Sequence, residues 1–390
     1  MRYAIVTETY PPEINGVALT VQSLERGLRG RGHTVELVRP AQSKRDAPCA
    51  HEILVRGSPL PRYPGLRFGW PATGKLAARW SRQRPDAIYV ATEGPLGWSA
   101  LRAARTLGIP AATGFHTRFD RYMRDYCAGW LEPVALGWMR RFHNRAQATL
   151  VPTEELRREL ASLGFDNALR LARAVDLALF HPARRDDGLR REWGLERDDL
   201  AVVHVGRIAA EKNLPLAIAA FRALQAQRPE ARFVWVGDGP LRAELEEQHP
   251  DFVFCGIQRG EALARHFASC DLFLFPSRSE TYGNVTLEAL ACGVPTIAFD
   301  YGAARERLRD GIDGAAVIDD ESAADAFVHA AVRIGADARL RAAMRIAARD
   351  GVSGLHPEQV AADFDAILQS LARKENHHAR RNAVASSAHE

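Results

Sequence analysis

The stretch that most restricts the fold is residues 273–299, FLFPSRSETYGNVTLEALACGVPTIAF. It reads as a strand, a polar loop, a short helix and a second strand. Asp271–Pro276 is an apolar run closed by proline, the pattern of a strand buried on both faces of a parallel sheet. Ser277–Gly283 is polar and ends in glycine, which lets the backbone approach a ligand. From Asn284, a candidate N-cap, the apolar spacing of Val285, Leu287, Ala289 and Leu290 is helical. Gly293, Val294 and Pro295 stop the helix, and Thr296–Phe299 is strand-like again. A helix N-terminus at the end of a parallel strand presents free N–H groups and a dipole, which favour phosphate. Two carboxylates flank it, Glu280 in the loop and Glu288 in the helix. Their spacing is not a one-face helical repeat, so they have different tasks, or else Glu288 is a solvated helix residue and Glu280 a loop charge.

The same alternation runs through the chain. Tyr3–Val6 is a strand, Thr7–Gly16 a loop and Val17–Arg29 a helix, a Rossmann-like opening. The strands His33–Pro40, Asp86–Ala91, Ile109–Thr113 and Thr149–Thr153 follow, the last read as ending the first sheet. Helices Gly74–Arg84, Trp98–Leu107 and Glu154–Leu163 accompany them. Leu200–Val205, Phe233–Val236 and Phe252–Gly256 open a second series. Such sheets bind ligands at the C-terminal ends of their strands. The strand ending at Thr113 delivers His116 to that edge, and the one ending at Val205 delivers Arg207 and Lys212. Two cations five residues apart can grip a diphosphate from two sides, or else are the exposed side chains usual after a strand. Gly27, Gly30 and Gly32 fall at the end of a helix, so no G-x-G-x-x-G fingerprint follows the first strand, which counts against a nicotinamide oxidoreductase.

With 390 residues the chain has material for about two domains. A net charge of +4 does not by itself imply nucleic acid, and no recognition motif suggests it. No apolar run approaches the roughly 18 residues of a membrane span, and the start, MRYAIVTETYPP, has no signal-peptide layout. The cysteines (49, 127, 255, 270 and 292) are scattered and without C-x-x-C spacing, which points to a reducing cytoplasm and away from zinc or disulfides. No histidine spacing suggests a metal site. Asp363-Phe364-Asp365 is expected at the surface of the last helix. Two stretches combine bases with aromatics. Residues 56–84 carry Arg62, Tyr63, Arg67, Trp70, Arg79 and Trp80. Residues 118–145 carry Arg121, Tyr122, Arg124, Trp130, Trp138, Arg140 and Arg141. They suit the headgroup zone of an anionic membrane, or else solvated faces with core tryptophans.

Glu280 and Glu288 together resemble the E-x7-E motif of glycosyltransferase family 4, retaining enzymes of the GT-B fold. Most of SRSETYGNVTLEALACGVPTIAF is similar to that family. The resemblance implies two Rossmann-like doubly wound α/β domains facing a central cleft. It places an acceptor-side domain at 1–168 and a nucleotide-sugar domain at 169–350. A helix at 356–372 would return to the first domain, and 373–390 would be a polar tail without fixed structure. Glu280 would meet the donor sugar and Glu288 the ribose. Thr281, Tyr282, Gly283, Asn284 and Val285 would bring backbone groups to sugar and diphosphate. The loop before the first helix resembles one where Asn15 and Gly16 approach the donor phosphates. Gly206-Arg207 and Lys212 match a G-R-x-x-x-E-K pattern whose cations neutralise the leaving diphosphate without metal. Gly237 marks a second family turn, and Gly256 with Ile257 would border the base. Phe115-His116-Thr117 matches a position where histidine supports the transition state, so His116, Arg207, Lys212 and Glu280 are the candidate catalytic set.

Within the family, TETYPPEINGVALT and FHTRFDRY look most like GDP-mannose-dependent α-mannosyltransferases. The expected activity is metal-independent transfer of mannose to a lipid or lipid-linked acceptor at the cytoplasmic membrane face, with no cofactor. Alternatives are a UDP-sugar-dependent glycolipid glycosyltransferase of the sulfoquinovosyl or glucosyl-diacylglycerol type, and a glycan or small-molecule acceptor. A nucleotide-sugar epimerase would turn over without acceptor, and an inactive binding module would lack the charged set.

Overall fold

The structure, a computed structural model, describes residues 1–13, 15–42, 50–59, 67–116, 132–278 and 280–387; the side chains of Glu132 and of residues 375–387 lie outside the description. The chain divides into two compact units, Met1–Ala172 with Pro357–Glu390, and Arg173–His356.

The first unit holds β1 (Arg2–Val6), β2 (Thr34–Pro40), β3 (Glu52–Val55), β4 (Gly57–Pro59), β5 (Arg67–Gly69), β6 (Ala87–Val90), β7 (Ala111–Gly114), β8 (Ala148–Val151) and β9 (Ala168–Arg170). Seven of them form a parallel sheet in the order β3-β2-β1-β6-β7-β8-β9, while β4 and β5 pair antiparallel. Helices cover both faces, which is why β6, AIYV, is apolar and buried at every position. Val21, Leu24 and Leu28 of helix Gly16–Gly30 pack on one face with Phe364, Leu368 and Leu371 of helix Pro357–Ser387. The other face meets Leu76, Trp80, Leu96, Ala100 and Phe142.

Three expectations need correction. The strand at Thr149–Thr153 does not end the first sheet, because Ala168–Arg170 adds β9 beside β8 and the division between units falls after Ala172. Three residues without alternating polarity left no readable period. The polar segment from Arg373 continues the last helix as far as Ser387; its alanines and charged residues are good helix formers whatever they pack against. Asp365 is buried rather than at the surface. It accepts from Tyr3 Oη at 2.9 Å and Arg31 Nε at 3.0 Å, and His33 Nε2 lies 2.9 Å away. Burial pushes its carboxyl up, but the bonds from His33, Arg31, Gln369 and Tyr3 outweigh that and hold it at about 2. Asp365 therefore pins the last helix to β1.

In the second unit β10 (Ala201–Val205), β11 (Arg232–Val236), β12 (Val253–Gly256), β13 (Leu272–Phe275), β14 (Thr296–Phe299) and β15 (Gly314–Val317) form a parallel sheet ordered β12-β11-β10-β13-β14-β15. Winding reverses between β1 and β6 in the first sheet and between β10 and β13 in the second. Loops diverge at such points and open a crevice at the strands' C-terminal ends.

Candidate active site

At the β10/β13 reversal the chain places its charged loops together. The loop after β10 carries Gly206, Arg207 and Lys212; the loop after β13 carries Ser277 and Glu280. Lys212 Nζ pairs with Glu280 Oε1, and both side chains are largely buried. Ser277 Oγ donates to the same oxygen at 2.9 Å. Arg207, half exposed, pairs with Glu211 on its own loop. Each cation is thus held by a carboxylate, Arg207 by one on its own loop and Lys212 by one on the loop after β13.

Two glycine turns support this loop. Gly206 N–H donates to Val236 O at 3.0 Å and Gly237 N–H to Gly256 O at 2.8 Å, so Gly206, Gly237 and Gly256 lie at the ends of three neighbouring strands. Gly237 has φ of 145°, and a Cβ there would lie 1.9 Å from Gly206 O, so only glycine lets the turns touch. Ile257, beyond the end of β12, is exposed.

Helix Asn284–Ala291 begins at this edge. Its N-cap is Gly283, at φ 88° and ψ 62°, not Asn284. The left-handed conformation falls to the residue without a Cβ, and Asn284 becomes the first helical residue. The Asn284 and Val285 N–H groups precede the helix's first internal bond; among the described residues they meet no acceptor. Thr281 is half-buried; Tyr282 is buried, with its carbonyl taken by Ala303 N–H at 2.7 Å and its phenol pushed up to about 12 by burial. On the same helix Glu288 is half-buried as a residue, but its Oε2 is shut away from solvent without a hydrogen-bond partner, as is Asn284 Oδ1. Burial alone pushes the Glu288 carboxyl up to about 7. An unpaired buried carboxylate is costly, and such groups concentrate where a ligand supplies the missing partner.

Sequence reasoning missed two residues here. Tyr301 Oη donates to Ser277 O at 2.6 Å and accepts from Glu280 N–H at 3.1 Å, clamping the loop that carries Glu280. His204, fully buried on β10, is pushed down to about 4, first by burial and further by Lys212; Leu274 O and Glu280 oppose the shift. It stays neutral beside the ion pair. Neither residue has a local signal, since each acts on a segment distant in sequence.

In the first unit, Asn15 caps helix Gly16–Gly30: its Oδ1 accepts from Ala18 N–H at 2.8 Å and its Nδ2 donates to Thr9 Oγ1 at 2.6 Å. Gly16, the first helical residue, is exposed. His116 follows β7, with its Nε2 2.8 Å from Tyr89 Oη. Tyr89, on β6 and almost fully buried, packs edge-on against Phe364 with ring centroids 5.0 Å apart. The last helix therefore braces the phenol that fixes the imidazole's tilt. At the β1/β6 reversal, buried Glu8 accepts from Leu96 N–H at 2.8 Å, and burial with neighbouring Glu93 pushes its carboxyl up to about 7. Neither Tyr89 nor Glu8 was legible as part of an edge in the sequence.

The two basic aromatic stretches separate in the structure. Trp80 is core, donating to Glu36 Oε2 at 3.1 Å, and Arg79 pairs with Glu36. Phe142 is buried, whereas Trp70 and Trp138 are exposed. Arg62, Tyr63, Arg121, Tyr122, Arg124 and Trp130, like Thr117, lie outside the described residues. Among the described residues no group of His, Cys, Asp and Glu side chains is arranged to hold a metal, and no helix is long and apolar enough to cross a membrane.

Residues 14–179 match the model of Glycosyltransferase Family 4, and residues 199–337 that of Glycosyl transferases group 1. The chain is 35% identical over 313 residues to the GDP-mannose-dependent alpha-mannosyltransferase of Mycolicibacterium smegmatis, covering 78% of this chain and 81% of that protein. It is 26% identical over 346 residues to the alpha-monoglucosyldiacylglycerol synthase of Streptococcus pneumoniae, covering 85% of this chain and 78% of the synthase. Among solved structures, sucrose-phosphate synthase from Thermosynechococcus elongatus superposes with a TM-score of 0.78 at 19% identity, covering 95% of this chain and 98% of that one. The two parallel-sheet α/β units are those of the GT-B fold, and the chain belongs to glycosyltransferase family 4 as a hexosyltransferase.

Proposed function

We propose that the chain transfers mannose from GDP-mannose, with retention of configuration, to a lipid or lipid-linked acceptor at a membrane surface. The observation that carries the donor site is the Lys212–Glu280 pair at the β10/β13 reversal, beside the open N-terminus of helix Asn284–Ala291 and unpartnered Glu288. The donor's anomeric C–O bond breaks to release a nucleoside diphosphate. The acceptor oxygen bonds to that carbon on the same face, and its proton passes to the departing phosphate. Negative charge grows on the diphosphate, where Lys212, Arg207 and the helix N-terminus stand ready in place of a metal ion. The loop glycines Gly206 and Gly237 let the backbone come close. Glu288 would bond the ribose hydroxyls, and Gly256 with Ile257 would border the base. In the first unit we assign His116 to stabilising charge on the sugar and Asn15–Gly16 to the donor phosphates.

The mannosyl donor is supported by the relative at 35% identity, and a lipid acceptor by the diacylglycerol-glycosylating relative. That second relative also favours the alternative, a UDP-sugar-dependent glycolipid glycosyltransferase. The test is nucleotide release from GDP-mannose, UDP-glucose, UDP-sulfoquinovose and UDP-GlcNAc, with and without lipid vesicles and with EDTA. GDP release that rises with lipid and survives EDTA is expected. Release from a UDP-sugar alone would move the chain to the alternative, and silence from every donor would remove the mannosyl assignment.

A further inference from the structure

The first unit carries a second cationic site, on the opposite face of its sheet from the last helix. An open groove of about 900 Å³ is walled by helices Thr73–Arg82, Pro95–Leu107 and Glu132–His143, with Arg102, Arg141 and Arg145 on its rim. Its floor is aromatic. Trp98 and Trp138 lie with ring centroids 5.9 Å apart, and the Arg145 guanidinium sits 4.5 Å above the Trp98 ring.

The charge here is one-sided. Arg145 is held below the usual arginine range by burial and by Arg141, Arg105 and Arg102, which repel it. None of these four side chains has a carboxylate partner among the described residues. Elsewhere in this chain arginines are commonly paired, as Arg79 is with Glu36 and Arg190 with Asp271. The groove also offers apolar surface, from Trp98 and the 42% exposed Trp138. One turn before Trp138 on the same helical face, Val134 is 64% exposed beside the groove. Unpaired guanidinium forks match the oxygens of a phosphate, and the tryptophans beside them match a hydrocarbon.

We propose that this groove binds a phosphate monoester or diester that carries an apolar group, as a second anion site distinct from the diphosphate site of the other unit. The phosphate would sit among Arg102, Arg141 and Arg145, with the apolar part against Trp98 and Trp138. The proposal does not rest on the assignment of donor or acceptor, because its test is binding without nucleotide sugar.

The experiment titrates the intact chain and the Arg102→Gln/Arg141→Gln double variant with inorganic phosphate, with monomeric dodecyl phosphate, with AMP, and with phosphatidylcholine vesicles containing or lacking phosphatidylglycerol. Dodecyl phosphate should bind more tightly than inorganic phosphate, and the double variant should bind it about tenfold more weakly. The variant should melt no lower than the parent, because it relieves repulsion. Binding confined to vesicles that contain phosphatidylglycerol, and lost in the variant, also supports the site and identifies a lipid headgroup as its source. Undiminished binding by the variant, AMP binding more tightly than dodecyl phosphate, or no binding to any probe would overturn it.

Discussion

At the scale of single residues, the fold shuts certain polar atoms away from solvent without a hydrogen-bond partner. Glu288 is the plainest. Its folded carboxyl stands at about 7 against an ordinary 4.5, so the fold favours the protonated form. Stability from this group is fully present below pH 4.5 and is lost as pH rises through about 7. A shift of that size corresponds to at most roughly 3 kcal/mol. Glu288→Gln should therefore melt higher than the parent above pH 7 and match it below pH 4.5, while losing nucleotide affinity; calorimetry across pH with a GDP titration checks both. Equal melting at pH 8 would remove the orphan-carboxylate reading. Tyr89→Phe should lower kcat about fivefold with little change in KM, because one hydrogen bond of ~1 kcal/mol steadies His116. A variant with parental kcat would make Tyr89 purely structural. Glu280 and Glu288 were legible because motif spacing is local. Tyr301, His204 and Tyr89 were not, because each bonds a segment at least 20 residues away.

At the scale of elements, the informative pieces are two helices. Helix Asn284–Ala291 was legible from its apolar spacing, yet its cap was misread, since sequence favours an asparagine side chain where the backbone needs glycine's φ of 88°. The last helix was expected, from the family resemblance, to return to the first domain; its contact with Tyr89 was not. A Cβ on Gly27 would lie 2.3 Å from Ala361 Cβ, which shows how closely it docks on helix Gly16–Gly30. Phe364→Ala should cost about 3–5 kcal/mol of stability and loosen His116 through Tyr89. Asp365 gives the docking a pH signature. Its folded value, about 2, lies below the ordinary 3.8, so its contribution is present above pH 3.8 and is lost as pH falls through about 2. Asp365→Asn should abolish the parent's extra loss of helix protection between those values, read by hydrogen exchange at the amides of residues 357–372. An unchanged acid profile would assign the docking to apolar contacts alone.

At the scale of the whole molecule, the β-α alternation made two parallel sheets legible, since strands buried on both faces are mostly apolar. What remained hidden was the strand order. The order decides which loops diverge, and only the neighbouring of β10 and β13 explains why Lys212 and Glu280, 68 positions apart, meet. That meeting carries the central proposal, that a diphosphate would be held at this reversal by protein cations and a helix terminus. The most direct measurement is steady-state transfer by Lys212→Ala alongside the parent, at saturating donor and with EDTA present. We predict that kcat falls at least about 100-fold, the scale of removing one preplaced charge from a developing anion, while the fold persists by circular dichroism. Parental kcat in Lys212→Ala would contradict the account and place the leaving group elsewhere.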